Sequence, residues 1–235
     1  MKNSGVLLGI LAIVSLPLTA RADDLLDGVL NVTGTVQVSF GSIVFEGNDF
    51  SINSPANTQQ GGFTTLAGTT GTIDNITNPP TAVGPLNMPD YMTFAADPNI
   101  SFTLTFLYGG TDGSADCSLA PAAGQQCTPD VPVLSPYNLN NTTSTSSTAS
   151  FNISGLEVDK TTGDTIPFVG IFSTQFPTDN YQTLLAAVDG GGTITTSFSA
   201  SFATSTVPEP GTWIEFMIGA VGIGLVYRKR AAFRI

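Results

Sequence analysis

Residue types that do chemistry are scarce in this chain, and their spacing decides what they can do. Two pairs of carboxylates stand close in sequence, Asp112 with Asp116 in TDGSAD and Asp159 with Asp164 in VDKTTGD. Paired carboxylates can act as the acid and base of glycoside hydrolysis, and clustered oxygens can hold a hard cation. Both pairs lie among Gly, Ser and Thr, where an Asp side chain ordinarily caps a turn by accepting backbone N–H bonds. Neither has the spacing of an EF-hand loop, and the single tryptophan, Trp213, is remote from both in sequence. Histidine is absent from the chain. That removes the Ser-His-Asp triad, the Cys-His pair and the commonest zinc ligand. The glycine-bearing stretches GTTGTID and GGGT lack the lysine of a phosphate-binding loop. The prediction is a protein that is not an enzyme, with no metal and no cofactor.

Cys117 and Cys127 bracket CSLAPAAGQQC. In an exported chain such a pair predicts a disulfide closing a Pro- and Gly-containing loop, nominally worth about 3 kcal/mol in loop entropy.

Strict alternation marks the elements that must carry these residues. In LNVTGTVQVSF, Leu30, Val32, Val36, Val38 and Phe40 fall on one face, with Asn31, Thr33, Thr35, Gln37 and Ser39 on the other. NISFTLTFLY puts Ile100, Phe102, Leu104, Phe106 and Tyr108 together, and TITTSFSASF does so for Ile194, Phe198 and Phe202. A period of two over such lengths is a half-buried strand. SIVFE, YMTFA, TASFNIS and FVGIFSTQF are further candidates, separated by Gly, Pro, Asn and Asp clusters. The predicted fold is all-β, an antiparallel β-sandwich of two facing sheets, spanning 23–206. One short helix is expected in TDNYQTLLAAVDGGG, capped by Thr178 or Asp179 and ended by Gly190. Its stripe of Tyr181, Leu184, Leu185 and Val188 should plug one open end of the strands.

The two ends of the sequence have a different character. Lys2, an apolar run from Val6 to Leu18 and the Ala20-Arg21-Ala22 site form a secretory signal peptide over 1–22, cleaved after Ala22. At the other end, Val207-Pro208-Glu209-Pro210 precedes an apolar run from Gly211 to Tyr227, and Arg228-Lys229-Arg230 follows it. Seventeen residues make a helix about 25 Å long, enough for a single transmembrane helix with local thinning. The basic cluster keeps the far side cytoplasmic and the body outside. Glu215 sits near the outer interface, where a carboxylate costs less than at mid-membrane. Pro208 and Pro210 fix two φ angles and remove two donors, so the motif should be extended and open to an enzyme.

This three-part order over 207–235 resembles the PEP-CTERM sorting signal, also known as the ice-binding protein C-terminal domain. The resemblance implies an exosortase-type processing enzyme as partner, the inner membrane as a first anchor, and a final place at the cell surface or outside it near exopolysaccharide. The body between the ends holds one basic residue, Lys160, against sixteen carboxylates, which makes nucleic acid a poor partner. The leading expectation is a non-enzymatic surface or matrix protein. The alternative is a carbohydrate-binding module using Tyr91, Tyr108 and Tyr137 with Asn/Asp loops at one end of the strands. Ice binding would need Thr33 and Thr35, or Thr193, Thr195 and Thr196, to tile a flat face, and no short repeat supplies that regularity.

Overall fold

The computed structural model describes residues 25–39, 41–77, 83–130 and 134–205. The signal peptide with Ala20 and Ala22, Phe40, and the whole 207–235 signal with Val207, Pro208, Glu209, Pro210, Arg228, Lys229 and Arg230 lie outside them. The described chain is mostly β with one α-helix. Its strands are β1 (Gly28–Ser39), β2 (Ser42–Phe45), β3 (Asp49–Ile52), β4 (Gln60–Gly61), β5 (Thr70–Ile73), β6 (Ile76–Thr77) and β7 (Gly84–Phe94). They continue with β8 (Ile100–Leu107), β9 (Gln126–Cys127), β10 (Asn138–Asn141), β11 (Ser147–Asp159), β12 (Thr165–Phe176) and β13 (Ile194–Thr204). Helix α1 (Tyr181–Asp189) joins the last two strands.

Two separate facing sheets were the expectation, but the hydrogen bonding is continuous. Strand neighbours run β12-β13-β1-β3-β5-β7-β8-β11, and β11 pairs back onto β12 from Ser147↔Phe176 to Val158↔Thr165. The ring of eight therefore closes, every pairing antiparallel, in a barrel-like sheet. Closure satisfies both edges of β12, which would otherwise expose a long row of unpaired backbone groups. On its β3 side, β1 also takes β2 and β4, so that edge is filled along its length by three short strands.

The interior is one apolar cluster, with Leu30, Ile43, Phe102, Leu104 and Phe202 fully buried. Phenylalanine rings fill it. Phe102 stacks on Phe168 and Phe151 on Phe172, each with ring centroids 4.6 Å apart. Four glycines on the inward face lie directly across from phenylalanines: Gly34 from Phe198, Gly71 from Phe50, Gly155 from Phe168 and Gly170 from Phe202. A Cβ at Gly170 would stand 2.7 Å from the Phe202 ring, and one at Gly34 would stand 2.6 Å from the Phe198 ring. Each ring thus occupies the space that the missing side chain leaves, an arrangement that fills the core of a curved sheet.

The predicted faces hold for β1 and β13, where Leu30, Val32, Val36, Phe198 and Phe202 are buried. On β8 they hold only as far as Leu104. A register shift opposite Ser154/Gly155 takes up Thr105, so Leu107 faces Ile153 inside while Phe106 pairs with outward Ser154. Tyr108 consequently emerges exposed. One extra residue in a strand reverses the facing of everything after it.

The barrel has two distinct ends. At one, here the root, the chain arrives at Leu25 and leaves after Thr204, which sits opposite Gly28. A short 3₁₀ turn, Gly62–Leu66, closes the root with buried Phe63 and Leu66. At the other end, the crown, the β1–β13 pairing finishes with Val38 opposite Ile194, and β12 finishes at Phe176 opposite Ser147. Helix α1 lies there.

Candidate functional site

The carboxylate pairs are divided between the two ends. Asp159 and Asp164 form the β11–β12 turn at the root. Asp159 accepts hydrogen bonds from the backbone N–H of Thr161 at 2.7 Å and from the Thr162 hydroxyl at 2.9 Å. These bonds, the Thr161 N–H foremost, hold its carboxyl below the usual carboxylate range. This is a turn-capping Asp. Asp164 is exposed. Beside the turn, Lys160 reaches Asp90 at 2.8 Å and lowers that carboxyl as well. Both partners are well exposed, so the pair contributes at most about 1 kcal/mol.

Asp112 and Asp116 belong to the crown loop. The Asp112 N–H donates to the Thr128 hydroxyl, and the Asp116 carbonyl accepts the Tyr181 hydroxyl at 3.0 Å. Among the described residues no three Cys, Asp or Glu side chains converge as a metal site would require. Glu157, which no motif singled out, is fully buried, and its carboxylate accepts the Leu26 N–H at 2.6 Å. Its position follows from phase: Phe151 and Ile153 point inward, and so therefore do Gly155, Glu157 and Asp159. It ties the arriving chain to the barrel wall.

The crown holds the more distinctive arrangement. Cys117 and Cys127 are joined as predicted, with Cα atoms 5.1 Å apart. The bridged loop packs on α1, since Cys127, Leu139 and Tyr181 form a small buried cluster of their own, with Leu185 against it. Asn180 caps α1 by accepting the Thr183 N–H at 3.0 Å. The predicted caps are otherwise engaged: the Thr178 hydroxyl donates to Asp179, whose carbonyl accepts from Ser147. Gly190 ends the helix as expected. Buried Asn141 accepts the Tyr181 N–H at 3.0 Å and donates to Gln182 at 2.9 Å, while Gln182 reaches Gln125 and the Leu119 carbonyl. The first turn of α1 is thus bound on several sides by polar contacts. Its second half presents Leu184, Leu185 and Val188 to the barrel mouth.

Beneath that half lies a partly open pocket of about 150 Å³. Its floor is Phe45, Phe151, Phe172 and Phe198 from four strands, and its roof is Leu184 and Val188. Exposed Ser173 and Asp189 mark the rim. Tyr137 is part of the wall and meets Phe151 edge-on with ring centroids 5.7 Å apart. Its hydroxyl is buried without a hydrogen-bond partner among the described residues, an arrangement that costs about 1–3 kcal/mol. Burial also pushes its pKa far above the ordinary tyrosine value.

The other two tyrosines have different fates. Tyr91 is fully buried against Phe45, whereas Tyr108 stands exposed beside Phe106 with its hydroxyl near Ser154. The threonines proposed for a flat face also divide. Thr195 points outward opposite Gln37, but Thr196 lines the cavity. Thr33 and Thr35 face out, paired with Ser199 and Ser197 on the curved wall.

No protein-family model, no curated protein and no solved structure matches this chain.

Proposed function

We propose that the protein is a non-enzymatic exported component of the cell surface or extracellular matrix. In this reading the signal peptide directs export, and the 207–235 signal anchors the chain in the inner membrane and presents Pro208-Glu209-Pro210 to an exosortase-type enzyme. The body then operates near exopolysaccharide. One observation carries the reading furthest: the described chain enters and leaves at the root, at Leu25 and Ser205, while α1, the bridged loop and the cavity occupy the crown. A membrane segment following Ser205 would hold the root toward the bilayer and the crown outward. Toward the crown the outer wall suits such exposure, since Ser and Thr pair across β12, β13 and β1, as in Ser173 with Ser199 at 3.1 Å, while Val169 and Ile171 stand exposed nearer the root.

The test compares cells with and without an active exosortase, using the intact chain and a variant with Pro208, Glu209 and Pro210 all replaced by Ala. The expected result is a shortened tail only for the intact chain and only where the enzyme is active. Equal tail mass in both backgrounds would remove the sorting role.

Carbohydrate recognition is the second reading, favoured by Tyr108 and Phe106, whose rings lie 4.8 Å apart on the outer wall. A glycan array on the full chain and on Tyr108→Ala tests it. Hits lost in the variant support it, and an array without hits ends it.

A further inference from the structure

We infer that the outer wall of β11, β12, β13 and β1 is a self-association face, through which two copies of this chain pair side by side. The first argument is where charge is missing. Between its two ends the chain carries sixteen carboxylates against one lysine, yet β1, β12 and β13 contain no charged residue. The two acids of β11, Glu157 and Asp159, are fully buried. These four strands are consecutive neighbours round the barrel, so their outward side chains form one uncharged surface. The other described carboxylates lie in loops, turns and α1 or on other strands, as with exposed Asp49 on β3 and Asp90 on β7.

The second argument is what that surface carries. Val169 and Ile171, two apart on the outer face of β12, are 56% and 54% exposed, and Leu156 on β11 is exposed as well. Pro167 lies opposite Leu156, Ala203 opposite Val169, and Val29 opposite Ala203. A lone exposed apolar residue on a strand is ordinary. Adjacent ones across four strands form a patch, and such patches mark interaction sites. Charge selects the occupant. A second copy is just as acidic, so two copies repel wherever carboxylates meet and approach closely only where both are uncharged. A charge-depleted, apolar centre is also the composition of protein interfaces. Lipid fits less well, because exposed Lys160 and Asp164 of the β11–β12 turn lie beyond the patch at the root and would reach a bilayer before it. Curvature lets about three strands touch at once; at ~4.8 Å per strand and a dozen residues of ~3.3 Å, two copies bury roughly 1,100 Å² in all, the low end for a specific contact. The pair should therefore form and dissociate with concentration. The inference stands on the barrel alone, whatever the fate of the export reading.

The experiment places one thiol on the full chain, whose two native cysteines are joined to each other. Ile171→Cys lies in the patch, and Thr72→Cys lies at an exposed position of β5, across the ring from β12. A short bismaleimide is added to each purified protein over a wide range of concentration. The expected result is a covalent dimer from residue 171, about five-fold or more above that from residue 72, which fades on dilution and grows as salt screens the repulsion. Adding Val169→Glu to Ile171→Cys should cut the yield by about ten-fold or more, because it sets a carboxylate against its own copy. Val169 points outward, so this change leaves the barrel core of each copy untouched. Equal yields from residues 171 and 72 would mean contact through the tail or by chance collision and would overturn the inference. So would the absence of a dimer from residue 171, a yield that Val169→Glu leaves unchanged, or a dimer lost as salt rises. A polarity-sensitive dye on residue 171 that shifts only when liposomes are added, with no cross-linking, would assign the wall to lipid instead and overturn it too.

Discussion

The four inward glycines show how single residues set the shape of the wall. Each lacks a side chain where a cross-strand phenylalanine lies, so the pair acts as one packing unit. Gly170→Ala would drive a Cβ to within 2.7 Å of the Phe202 ring, and Phe202 also contacts Phe102, Phe168 and Phe172. Overpacking of this kind costs about 1–3 kcal/mol. Gly113 has open space around its Cβ position, and Gly113→Ala should change stability by no more than about 0.5 kcal/mol. Urea denaturation of the two variants checks the contrast; equal midpoints would show that the ring and glycine are not coupled. The phenylalanines were legible as inward residues from alternation. Their glycine partners were not, because cross-strand register depends on pairings far apart in sequence. Phe106 and Tyr108 depart from the alternation for a related reason: the bulge at Thr105 arises from pairing with β11 and leaves no mark in the local pattern.

At the scale of elements, α1 and the bridged loop behave as one appendage to the crown. The loop carries β9, which pairs with β10, and β10 lies outside the ring of eight. Loss of the disulfide should therefore loosen this appendage more than the barrel. Replacing Cys117 and Cys127 by Ser removes a constraint of about 3 kcal/mol on the local loop. It also weakens the cluster of Cys127, Leu139 and Tyr181. Hydrogen exchange should then speed up across Tyr181–Asp189 while the amides of β1 and β13 keep their protection. Uniform acceleration everywhere would mean that the crown and barrel unfold as a unit. The helix itself, its apolar stripe and its glycine stop were all readable from the sequence. Its cap lies one or two residues beyond the predicted Thr178 or Asp179, since Thr178, Asp179 and Asn180 all have capping side chains. The choice fell to Asn180 because its oxygen lies 3.0 Å from the Thr183 N–H. The cavity beneath was not legible at all. It depends on how four strand ends and one helix meet, and no local pattern records that meeting.

Alternation predicts strands whether they form two facing sheets or a closed ring, so the local pattern carries the all-β class and not its closure. What decides closure is the pairing of β11 with both β8 and β12. The barrel that results is polar in a geometric sense, with both chain exits at the root and the cavity at the crown. Strand β13 runs eleven residues from crown to root. At about 3.3 Å per residue and a tilt near 40°, it separates the ends by roughly 28 Å. If the 207–235 segment anchors the chain, a label at the crown should lie farther from the lipid than one at the root by about that distance. Ser144→Cys places a dye in the β10–β11 turn at the crown, and Thr161→Cys places one in the β11–β12 turn at the root; both positions are exposed. With the full chain in liposomes carrying a headgroup acceptor, energy transfer should be strong from residue 161 and several-fold weaker from residue 144. Equal transfer would mean that the barrel lies flat on the membrane or tumbles freely beside it. Stronger transfer from residue 144 would place the crown against the bilayer. Either result would remove the outward presentation of the crown.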